Sequence, residues 1–165
     1  MKSFAVLACP LVAQAGPALR IHAGSGLGLM RAEGVSDSGP ILSVGVTRGV
    51  ASRVDLGLDV TGFWSRSAYA KRAQYSVVLA TQVRPTGLGG TLLGVGLGSL
   101  YYRTRYPSGL GTGNGWVARV RVGYVWDAVD AFWLEPYIDR GFVLSYSGSG
   151  DFWSYWHFGT TISIG

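Results

Sequence analysis

Cysteine is almost absent from this 165-residue chain: Cys9 is the only one. A single thiol excludes a disulfide framework and any Cys-rich metal centre. Two histidines, His22 and His157, and dispersed carboxylates offer no metal-ligand spacing either, so no metal or cofactor is expected. Charge is scarce, with 14% charged residues against the usual quarter or so of a soluble domain. Lysine is scarcer still, since every basic residue except Lys2 and Lys71 is an arginine. The net charge of +5 is spread along the chain without a basic run, which argues against a nucleic-acid partner. No apolar run approaches the ~18 residues of a membrane helix. The glycine runs Gly24-Ser25-Gly26-Leu27-Gly28 and Gly94-Val95-Gly96-Leu97-Gly98 look like dinucleotide loops, but neither opens a helix.

What the chain has instead is alternation. Near its end Trp156, Phe158, Ile162 and Ile164 share one parity, while His157, Gly159, Thr161 and Ser163 share the other. A period of two places these sets on opposite faces of a strand. The same pattern recurs in about eight segments. Val54, Leu56, Leu58, Val60 and Trp64 oppose Arg53, Asp55, Gly57, Asp59 and Thr61; Trp116, Val120, Val122 and Tyr124 oppose Arg119 and Arg121. On the penultimate strand Phe132, Leu134, Ile138, Phe142 and Leu144 oppose Trp133, Glu135, Tyr137, Asp139 and Ser145, and Arg140 interrupts the apolar set. Pro136 cannot donate to a ladder, which predicts a bulge or register shift there. The fold class implied is all-β, an antiparallel up-and-down barrel in one domain over residues 16–165.

Alternation does not say which face is outside. A lipocalin-like soluble barrel keeps its apolar face inward, and a transmembrane barrel inverts it. Three features favour inversion. The polar face mixes small residues with Arg20, Arg53, Arg84, Arg119 and Arg121 against Asp55, Asp59, Glu135 and Asp139, a near-balanced set suited to a packed ionic interior. The aromatics Trp64, Tyr75, Tyr101, Trp116, Trp126, Phe132, Tyr146 and Phe152 fall near strand ends, as interfacial girdles do. Links alternate in length: short at Gly49–Ser52, Pro85–Gly90 and Asp127–Asp130, longer at Arg31–Gly39, Arg66–Ala73 and Thr104–Gly115, with Ser147–Asp151 an exception. Lys2, the apolar stretch after it and Ala13-Gln14-Ala15 read as a secretory signal over residues 1–15.

In these respects the chain resembles the small eight-stranded outer-membrane β-barrel proteins of Gram-negative bacteria, the OmpA/OmpX-like group. The segment His157-Phe158-Gly159-Thr160-Thr161-Ile162-Ser163-Ile164 resembles the C-terminal signal read by barrel-assembly machinery, with His157, Gly159, Ile162 and Ile164 at its marked positions. The family usually ends in an aromatic residue, whereas this chain ends Ile164-Gly165. The resemblance implies a bacterial outer-membrane location, membrane lipids as surroundings and the assembly machinery as a partner in biogenesis.

An eight-stranded barrel is only wide enough to be filled by side chains. The expected role is therefore structural or surface-interacting, with a plugged polar interior and no catalysis. Arg31, Arg66, Lys71, Arg72 and Arg105 in the outer loops outnumber Glu33, Asp37 and Asp151, a rim suited to lipopolysaccharide phosphates. Three alternatives stand beside this reading. A lipid A-modifying enzyme would use His157 with Ser154 or Ser145 and Glu135, but a His-x-Ser pattern is missing because Gly159 stands where Ser is needed. A narrow solute conduit would exploit voids beside inward glycines, unless Phe63, Tyr102, Trp133 and Tyr155 fill them. A soluble barrel would bind an apolar ligand.

Overall fold

Alternation over long segments produces strands throughout. The computed structural model describes residues 19–32, 35–67, 70–129, 132–148 and 154–165. The signal assigned to residues 1–15 lies outside them. The strands are β1 (Leu19–Ala32), β2 (Val35–Ala51), β3 (Val54–Arg66), β4 (Lys71–Val83), β5 (Thr91–Tyr106), β6 (Gly109–Tyr124), β7 (Trp126–Val129), β8 (Phe132–Gly148) and β9 (Ser154–Ile164). Sequence neighbours pair antiparallel except β6 and β7, which both pair with β8, and β9 returns to β1. The sheet therefore closes and leaves no open edge.

β6 and β7 form one wall strand. Gly123 faces Tyr137 and Trp126 faces Leu134, so the register is the same on both sides of Val125. In that register Pro136 falls opposite Tyr124, beside this break, where pairing lapses and its missing N–H removes a ladder bond. No register shift occurs at Pro136 itself. The shifts along β8 flank it: Asp127 faces Trp133 but Val129 faces Phe132, and farther along Val117 faces Val143 but Trp116 faces Ser145. Eight wall strands result.

The stagger follows from the pairings. From Arg140, cross-strand partners lead one way through Val120, Val95, Thr81 and Leu56 to Arg48. The other way they lead through Trp156 and Leu29 to Ser38. The two arrivals on β2, Arg48 and Ser38, are ten residues apart. Such a stagger tilts the strands and fixes the width of the lumen.

The faces are inverted relative to a soluble barrel. Ile21, Leu79 and Val95 are 62%, 63% and 62% exposed on the outside, whereas Arg119 and Asp139 are 3% and 1% exposed within. Inward rings find space beside glycine. A Cβ on Gly141 would strike the Tyr155 ring, one on Gly113 the Tyr102 ring, and one on Gly28 would come 2.5 Å from the Phe63 ring. The inward glycines at these places are occupied by neighbouring side chains.

One end of the barrel carries both β1's first residue and β9's last; the opposite, distal end differs from expectation. Strands extend through the segments read as loops: β1 and β2 cover most of Arg31–Gly39, and β5 and β6 cover Thr104–Gly115 apart from Pro107 and Ser108. Polar and glycine-rich composition there reflects strands that project without a buried apolar face, so composition mimicked a loop. At the terminal end, the turn after β4 uses positive φ at Gly87 (78°) and Gly89 (59°), conformations that favour glycine.

Candidate functional site

Strand alternation points Asp55 and Asp59 from β3, Arg119 and Arg121 from β6, and Glu135 and Asp139 from β8 into one lumen, where all six are buried. At its centre Arg121 makes a two-pronged bond to Asp139, with Nε 2.7 Å from Oδ1 and Nη2 2.9 Å from Oδ2. This fork geometry gives direction as well as charge. Arg121 also lies 3.9 Å from Asp59 and 3.8 Å from Glu135, and its guanidinium covers the Tyr137 ring at 4.2 Å. Arg119 donates to Asp59 and approaches Asp139 at 3.7 Å.

His22 completes this centre and was missing from the ionic set read in the sequence. Its Nε2 lies 2.6 Å from Asp59 Oδ1, and its Nδ1 lies 3.4 Å from the Thr47 hydroxyl. A carboxylate only accepts, so Nε2 carries the proton. The signal was available, because His22 shares parity with Arg20 on β1. Gly45 allows the approach: a Cβ there would strike His22 Nε2 and come within 2.6 Å of Asp59 Oδ1.

A second cluster sits nearer the terminal end. Asp55 accepts from Arg20 Nη2 at 2.5 Å and Arg84 Nη2 at 2.7 Å. Arg20 also covers the Trp133 ring at 5.7 Å. Arg53 is a correction: it is exposed and donates to the Thr86 hydroxyl, outside the lumen's network. It stands at the turn before β3, where the alternation no longer binds side chains to a face.

His157 is buried among rings, stacked on Tyr155 at 4.4 Å and Phe63 at 6.4 Å between centroids. Its Nε2 and Glu135 Oε1 have no hydrogen-bond partner among the described residues. Gly159 faces inward beside the Tyr137 hydroxyl, and Ile162 and Ile164 lie exposed outside.

The aromatic positions divide. Trp64 donates to the Tyr75 hydroxyl at 3.3 Å, and Tyr75 pairs with Tyr101 across the strands. Tyr124 and Trp126 pack edge-on at 5.7 Å near the other end. Tyr146 turns inward instead and stacks on Tyr102 at 5.1 Å. The bulge at Leu144 reverses parity, so Ser145 is exposed and Tyr146 joins the core. Phe152 lies outside the described residues.

The distal cations are also redistributed. Arg72 pairs inward with Asp37. Arg66, Lys71 and Arg105 occupy directly opposed, exposed positions on β3, β4 and β5, and Arg103 lies beside them. Arg31 is exposed on β1, while Glu33 and Asp151 lie outside the described residues.

No protein-family model matches the chain, and no curated protein matches its sequence. Solved structures do. Neisserial surface protein A superposes with a TM-score of 0.71 at 9% identity, over 90% of this chain and 98% of that one. The N-terminal β-barrel domain of Pseudomonas aeruginosa OprF gives 0.61 at 12% identity, over 90% and 99%. Ail, the attachment invasion locus protein of Yersinia pestis, solved in complex with the heparin analogue sucrose octasulfate, gives 0.60 at 10% identity, over 88% and 97%. The fold of this chain is therefore that of the small eight-stranded β-barrels found in bacterial outer membranes.

Proposed function

We propose that this chain is an integral outer-membrane protein whose lumen is closed by its own side chains and which acts through its surface. The inverted distribution carries the reading: an apolar outer wall encloses charges that are buried and mutually paired. In water such a wall would be an extensive exposed apolar patch; in lipid it is the expected exterior. Migration on SDS gels tests it. The unboiled protein from the outer-membrane fraction should run faster than the boiled one. A soluble protein whose mobility ignores boiling would refute the assignment.

The plug has its own test. With Arg121 bridging Asp139, Asp59 and Glu135 across the lumen, planar bilayers should show no steady conductance. Reproducible unitary steps from the wild-type protein would overturn this part.

Catalysis fits poorly. His157 is enclosed by Tyr155 and Phe63, Ser145 faces outward because of the bulge, and Ser154 shares the outward parity of Trp156 opposite Phe142, so base and either nucleophile lie on opposite sides of the wall. The assembly machinery would read β9 through Ile162 and Ile164, which it presents outward.

The surface role we assign is contact with a phosphate-rich or sulfate-rich polyanion, lipopolysaccharide being the expected one. Arg66, Lys71 and Arg105 oppose one another directly, an arrangement that costs stability unless an anion joins them. The likeness to Ail, solved with a sulfated ligand, supports the reading. Changing Arg66, Lys71, Arg103 and Arg105 together to Gln should weaken binding to lipopolysaccharide vesicles at least tenfold. Unchanged binding would remove this role.

A further inference from the structure

Arg140 is the charge that neither cluster explains. It stands on the outer wall in mid-β8, with Phe132, Leu134, Pro136 and Ile138 toward one end and Phe142 and Leu144 toward the other. Its cross-strand neighbours are Val120 and Trp156, and both face outward. The guanidinium lies 4.8 Å from the Phe142 ring and 4.8 Å from the Trp156 ring. Among the described side chains no carboxylate pairs with it: Asp37, Asp55, Asp59, Glu135 and Asp139 are all buried inside.

A charge on the lipid face costs more the deeper it lies, and ionisable residues in that setting usually serve a partner. The distal girdle is marked on β6 by Trp116, four residues from Val120, the partner of Arg140, and the ten-residue stagger raises each β8 position above its β6 partner. At ~3.3 Å per residue along a tilted strand, the girdle is roughly 6–7 Å above the Arg140 backbone, within reach of its side chain. The outward rings of Phe142 and Trp156 hold the guanidinium beside them at the inner edge of that girdle. A second copy of this chain offers no described acid on its outer wall to meet it.

We propose that Arg140 binds one lipid with a small anionic head, a carboxylate or phosphate monoester, at the inner edge of the girdle. The guanidinium fork suits either head, each of which offers acceptor oxygens with no cationic group beside them. The alkyl chain lies over Ile138 and Phe158, then the deeper row Pro136, Thr160 and Ser25, which are directly paired across β8, β9 and β1. This rests on the membrane-embedded reading.

Electron paramagnetic resonance of spin-labelled lipids around the purified, reconstituted full-length protein tests the site. The probes are stearate, phosphatidic acid and phosphatidylcholine in phosphatidylcholine vesicles, at a pH where stearate is ionised. For the wild type, the motionally restricted fraction should favour stearate and phosphatidic acid over phosphatidylcholine at least twofold. R140L should abolish that preference, R140K should keep part of it, and the quadruple Gln variant of the distal wall should retain it. The gel-shift assay shows whether R140L is folded. Equal preference in wild type and R140L would overturn the site and leave Arg140 as a cation packed between two rings. A wild type that restricts no probe at all would instead refute membrane embedding.

Discussion

Asp59 and Asp55 lie four residues apart on one strand, and each is flanked by two arginines, yet they do different work. Asp59 and its partner Arg119 are 2% and 3% exposed by side chain. Asp55 is held by Arg20 and Arg84, whose side chains are 14% and 35% exposed. The central cluster has given up its hydration and depends on its geometry; the terminal cluster remains within reach of water. Identical residue types therefore form a permanent cross-brace in mid-barrel and a weak clasp at its end. Asp55 is itself only 7% exposed, but the cations it holds reach water, so breaking its pairs costs less than stranding a fully enclosed charge.

Three changes sharpen that contrast. The largest effect is expected for Asp139→Ala, which strips Arg121 of both its hydrogen bonds and deprives Arg119 of a nearby charge. It should cost about 3–5 kcal/mol in reversible urea unfolding from vesicles. Adding Arg121→Met should recover much of that loss, because the orphaned charge goes with it. No recovery would mean that the carboxylate matters for something other than its partner.

Gly45→Ala comes next. Its methyl group would intrude between His22 and Asp59, at a cost of about 1–3 kcal/mol from overpacking. Combining it with His22→Ala should recover part of that cost in the same unfolding assay, the remainder coming from the Leu58 carbonyl 2.6 Å from the new methyl; simple additivity would place all the strain at that carbonyl. The smallest effect is expected for Asp55→Asn, about 1 kcal/mol, because Asp55 is buried but the arginines it would leave behind reach water. It should shrink as salt is raised, since those hydrated cations are screened. A large, salt-independent loss would erase the distinction between the clusters.

Legibility in the sequence followed the same divide between regular wall and local exception. Wherever alternation ran unbroken, as from Val54 to Trp64, parity placed each side chain on its observed face. Arg53 escaped because it precedes the first paired residue of β3. Ser145 and Tyr146 escaped because one extra residue at Leu144 reversed parity, and nothing in the local composition marks that position as a bulge. Pro136 lacks a donor, but the wall absorbs the defect as a pairing gap opposite Tyr124, without a shift of register there. The polar hairpins at the distal end read as loops because their strands have no apolar stripe to display.

The sequence by itself determined the strands, their two chemically distinct faces and the scarcity of charge that suits an apolar surrounding. These are local properties, written in a period of two. Only closure of the sheet decided which charges meet. With a ten-residue stagger between the two routes to β2, Asp59 of β3 meets His22 of β1 and Arg119 of β6, residues far apart in the chain. Closure also left Arg140 on the outer wall, with no acid beside it among the described side chains. Each of these contacts depends on distances across a curved, staggered wall, and a linear pattern carries no measure of them.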